Sequence, residues 1–260
     1  MKAIDVMNHF REIGTWVNWE RTVDRFLHGN PEVEVRGIAV AWIASNAALQ
    51  EAAEKGLNLF ISHEPCFYGR SEERPAAREL AQKKRAFMDR HGITLLRCHD
   101  TWDRMPEIGI PDAWGDFLGF ETEPRPVESF YKICLMEETT VEDAARRILE
   151  KVKPLGQDCV MILGDRQKRV SRMAIGTGAI SNPVMMFALN PDCILIVDDT
   201  INTPGNGHWA IDQGIPLLIV SHPVAEYPGM MAMARYLQEK FPGTPVEYLD
   251  VAFPYSTIVG

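Results

Sequence analysis

Three stretches of this chain each place a histidine next to a carboxylate, or four residues before one, at the end of a short apolar run. The first is NLFISHEP, residues 58–65. Leu59 to Ser62 read as a buried strand, and Pro65 breaks the chain just after His63 and Glu64. The second, GITLLRCHDTWD over 92–103, carries His99 and Asp103. The third, GIPLLIVSHPVAE over 214–226, carries His222 and Glu226. Imidazole nitrogens and carboxylate oxygens are the donors that divalent transition metals take. A spacing of four on a helical turn puts both side chains on one side. In α/β proteins the C-terminal strand ends are where ligands and chemistry gather.

Six nitrogen and oxygen donors exceed what one open zinc site uses, which is commonly three. They suit two ions about 3.5–4 Å apart, bridged by a carboxylate such as Glu226 or Asp103 and by a water. Such a pair brings the pKa of that water toward ~7 and clamps a phosphoryl or carbonyl oxygen. The expected cofactor is therefore two divalent transition-metal ions, with Zn, Fe, Mn, Co and Ni all open. A single strand-end histidine is more often a hydrogen-bonded structural group than a ligand. Three of them, each with an acid neighbour, favour the metal. The remaining histidines carry less. His208 lies in a Gly-rich loop, and His9, His28 and His91 fall on helices or their ends, where a surface role is expected. Asp198 and Asp199 end another strand and either orient ligands, bind a further ion or are solvated. Gly176 and Gly178 imitate a dinucleotide fingerprint, but Ser181 stands where its third glycine belongs.

The elements that would position these donors follow the order strand, helix, strand, helix, strand, twice over. Residues 3–28 read as helical, interrupted near Gly14. Val33–Ile43 is β-rich, Ser45 caps a helix that ends at Gly56, and the first histidine strand follows. A helix over 76–91 leads to the second. Residues 121–129, ETEPRPVES, look like a crossing between lobes. Strands at 131–136 and 159–163 flank a helix over 141–152 with acids early and bases late. Then RMAIGTGAISN (172–182) repeats RGIAVAWIASN (36–46), and the second GI-x-LL strand repeats the first. Helix 228–240 and a strand at 246–251 close the chain. The expected fold is α/β: two related lobes from an internal duplication, residues 1–125 and 126–260, with the C-terminal segment packing back on the first lobe and the metal site in the crevice between the lobes.

The totals exclude other classes. A net charge of −9 and a pI near 5.3 argue against a nucleic-acid or anionic-membrane surface. No apolar run approaches the ~18 residues of a membrane span. The N-terminus carries Asp5 and Glu12 and does not read as a signal peptide. Five cysteines with no CxxC suit free thiols in a reducing cytoplasm.

With these residues in view, the chain resembles the Nif-three-like family of dinuclear metal-centre proteins, also known as GTP cyclohydrolase I type 2 homologues. The resemblance runs from about Val33 to the C-terminus. His63-Glu64-Pro65 stands where that family has His-His-Pro. His99 and Asp103 match its His-x-x-x-Asp, His222 and Glu226 its His-x-x-x-Glu, and GTGAIS its glycine-rich turn. Three features depart from it. Glu64 replaces a histidine, AWIASN lacks the acid usual after the first strand, and Asp198-Asp199-Thr200 lacks the second-lobe histidines. The resemblance implies a metal-dependent hydrolase acting on a nucleotide-like or other small substrate, in a toroidal homohexamer. The alternative is a non-catalytic metal-binding, metal-chaperone or regulatory protein.

Overall fold

The structure, a computed structural model, describes residues 1–249 and 253–258 of the 260-residue chain. The chain forms two compact units. The first takes Met1–Met105 and Met230–Val251, and the second takes Pro106–Gly229 and Ala252–Gly260.

The first unit opens with helix α1 (Ala3–Ile13), whose buried face is Ala3, Val6, Met7, His9 and Phe10. Strands β1 (Arg25–His28) and β2 (Ile38–Ala41) follow, then helix α2 (Asn46–Glu54). Ser45 caps α2 by accepting from the Ala48 N–H, and Gly56 leaves it at a positive φ of 71°. Strand β3 (Leu59–Ser62) leads to helix α3 (Pro75–His91), which starts on a proline and ends at left-handed Gly92. Strand β4 (Thr94–Arg97) and the four-residue helix α4 (Asp100–Asp103) complete this stretch. Strands β2, β3 and β4 are parallel, with Ile38 opposite Leu59 and Leu59 opposite Thr94. Their side chains are almost wholly buried, as strands covered on both faces require.

The second unit runs through helix α5 (Ile110–Leu118), strands β5 (Glu121–Thr122) and β6 (Tyr131–Thr140), and helix α6 (Val141–Val152). Thr140 caps α6 through the Asp143 N–H, with Glu142 and Asp143 in the first turn and Lys151 in the last. Strands β7 (Met161–Leu163) and β8 (Arg169–Gly176) precede helix α7 (Pro183–Met186), which Asn182 caps. Strand β9 (Cys193–Val197), helix α8 (His208–Asp212), strand β10 (Leu217–Val220) and helix α9 (His222–Lys240) follow. Residues of α9 up to Gly229 belong to this unit and those from Met230 to the first. Strand β11 (Val246–Tyr248) lies parallel to β2 in the first sheet.

The two sheets share a four-strand arrangement, β1-β4-β3-β2 in the first and β7-β10-β9-β8 in the second. The first has the order β1-β4-β3-β2-β11 and the second β5-β6-β8-β9-β10-β7. In each, three parallel strands (β2, β3, β4 and β8, β9, β10) are joined by helices. In each, the strand just before that trio returns to pair antiparallel with its last member, β1 with β4 and β7 with β10. This agreement makes the chain two related α/β lobes.

Several elements differ from the sequence expectation. Residues 25–28 are an edge strand rather than the end of a helix, because Arg25 and Phe26 pair with Arg97 and Leu96. Helix α9 begins at His222, six residues before the expected start at Pro228, so Pro228 sits inside it. His9 is buried rather than a surface group: it lies 2.8 Å from the Tyr236 hydroxyl and stacks on that ring. The expected closing strand ends at Tyr248, and its last residues, Asp250 and Val251, lie outside the described residues. Among the described residues no helix is long and apolar enough to cross a membrane.

Candidate metal centre

In the first unit the predicted donors stand at the C-terminal ends of two adjacent parallel strands. His63 and Glu64 follow β3, and His99 follows β4 with Asp103 closing α4. His63 is fully buried, while Glu64, His99 and Asp103 are half-buried. The imidazoles of His63 and His99 stack at 4.3 Å with 17° between their planes. Asp103 reaches both of them. Its Oδ1 is 3.3 Å from His63 Nε2 and its Oδ2 is 3.3 Å from His99 Nδ1. His63, His99 and Asp103 each offer a ligand atom, and these atoms all lie within 4.8 Å of one another. Glu64 Oε1 is 3.9 Å from His99 Nε2.

Glu64 is not alone in carrying charge here. Arg97, at the end of β4, donates from Nη2 to Glu64 Oε2 at 3.2 Å and from Nε to the His63 carbonyl at 2.8 Å. One guanidinium thus holds the backbone of one donor and the side chain of the next, using the planar fork that lysine lacks. It also offsets the negative charge of Glu64. Arg97 went unmarked in the sequence because its partners lie 33 and 34 residues away.

The second unit repeats the placement. Asp198 and Asp199 follow β9, and His222 follows the adjacent strand β10. Asp198 accepts the His222 N–H at 3.0 Å, and Asp199 lies 2.8 Å from His222 Nδ1. Asp199 therefore orients the imidazole. The early start of α9 puts His222 and Glu226 one turn apart on the helix, with Nε2 and Oε1 separated by 3.1 Å. Glu226 is 2% exposed.

The three histidines are prepared alike. Nδ1 faces an oxygen in each: the Cys98 carbonyl at 3.4 Å for His63, Asp100 at 2.9 Å for His99, and Asp199 at 2.8 Å for His222. Each Nε2 is turned to a carboxylate of another predicted donor. This is the outer-shell pattern that metal-binding histidines use to fix tautomer and orientation. Ligand atoms on one ion with bonds of about 2.0–2.2 Å lie roughly 3–3.5 Å apart. The His63–Asp103 and His222–Glu226 separations of 3.3 and 3.1 Å fall in that range. The donor types and their spacing fit divalent metals.

Gly178, in the GTGAIS turn, makes room for the second pair. It has a φ of +65°, and a Cβ there would stand 2.7 Å from Glu226 Oε1 and 3.4 Å from His222 Nε2. Gly178→Ala is expected to cost roughly 1–3 kcal/mol of stability from the backbone alone. It is also expected to weaken metal binding at His222 and Glu226. Thermal melts and metal titration check both, and unchanged affinity would confine the glycine to the turn.

His208 is exposed at the start of α8. Trp102 is fully buried and packs on Phe10 and Tyr236. All five cysteines are free, and burial pushes the Cys66, Cys134 and Cys193 thiols up to about 11, 12 and 12.

Comparison with known proteins identifies the family and the fold. The family model described as Duf34/NIF3 (NGG1p interacting factor 3) matches residues 1–253. A Clostridium perfringens protein named GTP cyclohydrolase 1 type 2 homolog is 24% identical, over 96% of this chain and 95% of that protein. A Pseudomonas aeruginosa protein of the same name is 26% identical, over 88% and 87%. Among solved structures, Staphylococcus aureus hypothetical protein SA1388 matches 99% of each chain with a TM-score of 0.82 at 18% identity, a likeness of fold.

Proposed function

The chain belongs to the Duf34/NIF3 family, and from that premise we propose that it is a metal-dependent hydrolase acting on a nucleotide-like or other small substrate. His63, Glu64, His99, Asp103, His222 and Glu226 are its metal donors, and two divalent transition-metal ions are its cofactor. The observation that carries the proposal is the common preparation of the three imidazoles, each held at Nδ1 with Nε2 turned to a carboxylate. When bound, the ions supply Lewis acidity and an acidified water. The chain's own residues do the rest. Asp100, Asp199 and the Cys98 carbonyl fix the ring tautomers, and Arg97 holds Glu64 with one oxygen turned away from the guanidinium. Asp103 and Glu226 are the candidate bridges, since each is a carboxylate beside an imidazole. The nucleotide-like substrate class rests on the names of the Clostridium and Pseudomonas relatives.

The test is turnover of nucleotides and phosphoesters by metal-loaded wild type and His222→Ala. Metal-dependent turnover that falls in the variant supports the proposal, and equal rates in both sink it. A cytoplasmic homohexamer is part of the same proposal; mass in solution reads the assembly, and a monomer would remove it.

One observation favours a second function, metal carriage or regulation without turnover. Asp100 is an acid outside the six donors, 2.9 Å from His99 Nδ1. Its carboxyl is held at about 2, mainly by the hydrogen bond from His99, against the opposing effect of burial. Thr22 and the Val23 N–H occupy its other oxygen. Asp100 is thus a poor proton acceptor at neutral pH. Fast metal exchange with a chelator-buffered pool, without hydrolysis of any substrate, would favour this function.

A further inference from the structure

We propose that Asp24, outside the six donors, is a positioning residue that sets the geometry of His99 and Asp103. This rests on the proposal that His63, His99 and Asp103 hold a metal.

Asp24 lies in the loop before β1 and is 4% exposed. Its carboxylate accepts four hydrogen bonds from one short segment. Oδ1 takes the N–H of His99 at 2.7 Å and of Asp100 at 2.8 Å. Oδ2 takes the Thr101 N–H at 2.9 Å and the Thr101 hydroxyl at 2.6 Å. Three successive backbone donors are therefore fixed by one side chain, through bonds that an ionised acceptor strengthens.

The need for this clasp follows from helix physics. Helix α4 has four residues, far fewer than a helix requires to hold itself in water. Yet its single turn must bring His99 and Asp103 onto one side. Asp24 supplies from outside what the turn lacks. Its neighbours extend the hold to the imidazole. The Thr22 hydroxyl, at 2.8 Å, and the Val23 N–H grip Asp100 Oδ2, and Asp100 Oδ1 holds His99 Nδ1. Trp16 Nε1 donates to the Thr101 carbonyl at 3.2 Å. Residues 16–24 thus fix both the backbone turn and the ring of His99, while Asp24 contacts neither proposed donor side chain in these bonds.

The experiment titrates chelator-treated full-length protein with Co2+ and records affinity and visible absorption, which reports ligand geometry. In Asp24→Asn, Co2+ affinity is expected to fall ~10–100-fold, the range for outer-shell partners, with an altered absorption band. Thr140→Ala, which removes the α6 cap in the other unit, serves as the control for lost stability and is expected to bind as wild type does. Thr101→Val deletes one of the four bonds and tests the same point if Asp24→Asn does not fold; a smaller affinity loss is expected. Wild-type affinity and spectrum in Asp24→Asn, or in Thr101→Val where that variant stands in, would overturn the proposal. A loss no greater than in Thr140→Ala would do so too. Failure of wild type itself to bind Co2+ would instead remove the metal site on which the proposal rests.

Discussion

His99→Ala is expected to weaken metal binding at the first set of donors by more than the ~10–100-fold typical of outer-shell changes. His99 is the member through which that set is organised. It stacks on His63, lies beside Asp103 and Glu64, and is itself held by Asp100. It is also half-buried, so its removal opens less of the core than removal of fully buried His63 would. The affinity loss should therefore come with a native far-ultraviolet circular dichroism spectrum and a small change in melting temperature. A titration in which His99→Ala keeps wild-type affinity would place the first set's metal elsewhere.

The second large effect is a pH dependence at His222. In the metal-free protein burial disfavours a charged imidazole there. Glu226, by hydrogen bond and charge, and Asp199 outweigh that and lift the pKa from 6.5 to about 10. The sign follows from a raised folded value. The stability that His222 lends is fully present below 6.5 and is lost as pH rises through about 10. A metal needs the neutral Nε2, so at pH 7 its binding must expel the proton. Affinity at this set is then expected to climb roughly tenfold per pH unit, about 100-fold between pH 6 and 8. Calorimetry in two buffers of different ionisation enthalpy should show about one proton released per ion bound at this set. In His222→Gln both the proton release and this slope should vanish. A wild-type affinity independent of pH over that range would contradict a protonated His222.

Much of this was legible in the sequence because the signals are local. The strand ends at His63, His99 and His222 stood out because short strand-like runs stop there, and the duplication because GI-x-LL and the Ser-Asn caps recur. The start of α9 was not legible. Pro228 looks like a helix boundary, yet the helix runs through it from His222, and only that early start makes His222 and Glu226 a pair on one turn. Strand β1 was missed because RFLH gains its strand character from pairing with β4. The supports of the donors were the least legible. Asp24 acts 75–77 residues along the chain, and Arg97 33 and 34, so no spacing rule could find them. Asp199 was one of several acids at a strand end until the backbone put it against His222 Nδ1.

Elemental analysis of the purified chain beside a His99→Ala/His222→Ala double variant is the most direct test of the central claim. About two transition-metal ions per chain in wild type, and far fewer in the variant, is the predicted result for a metal pair. Equal metal in both, or none in wild type after reconstitution with Zn, Mn, Fe and Co salts, would contradict it.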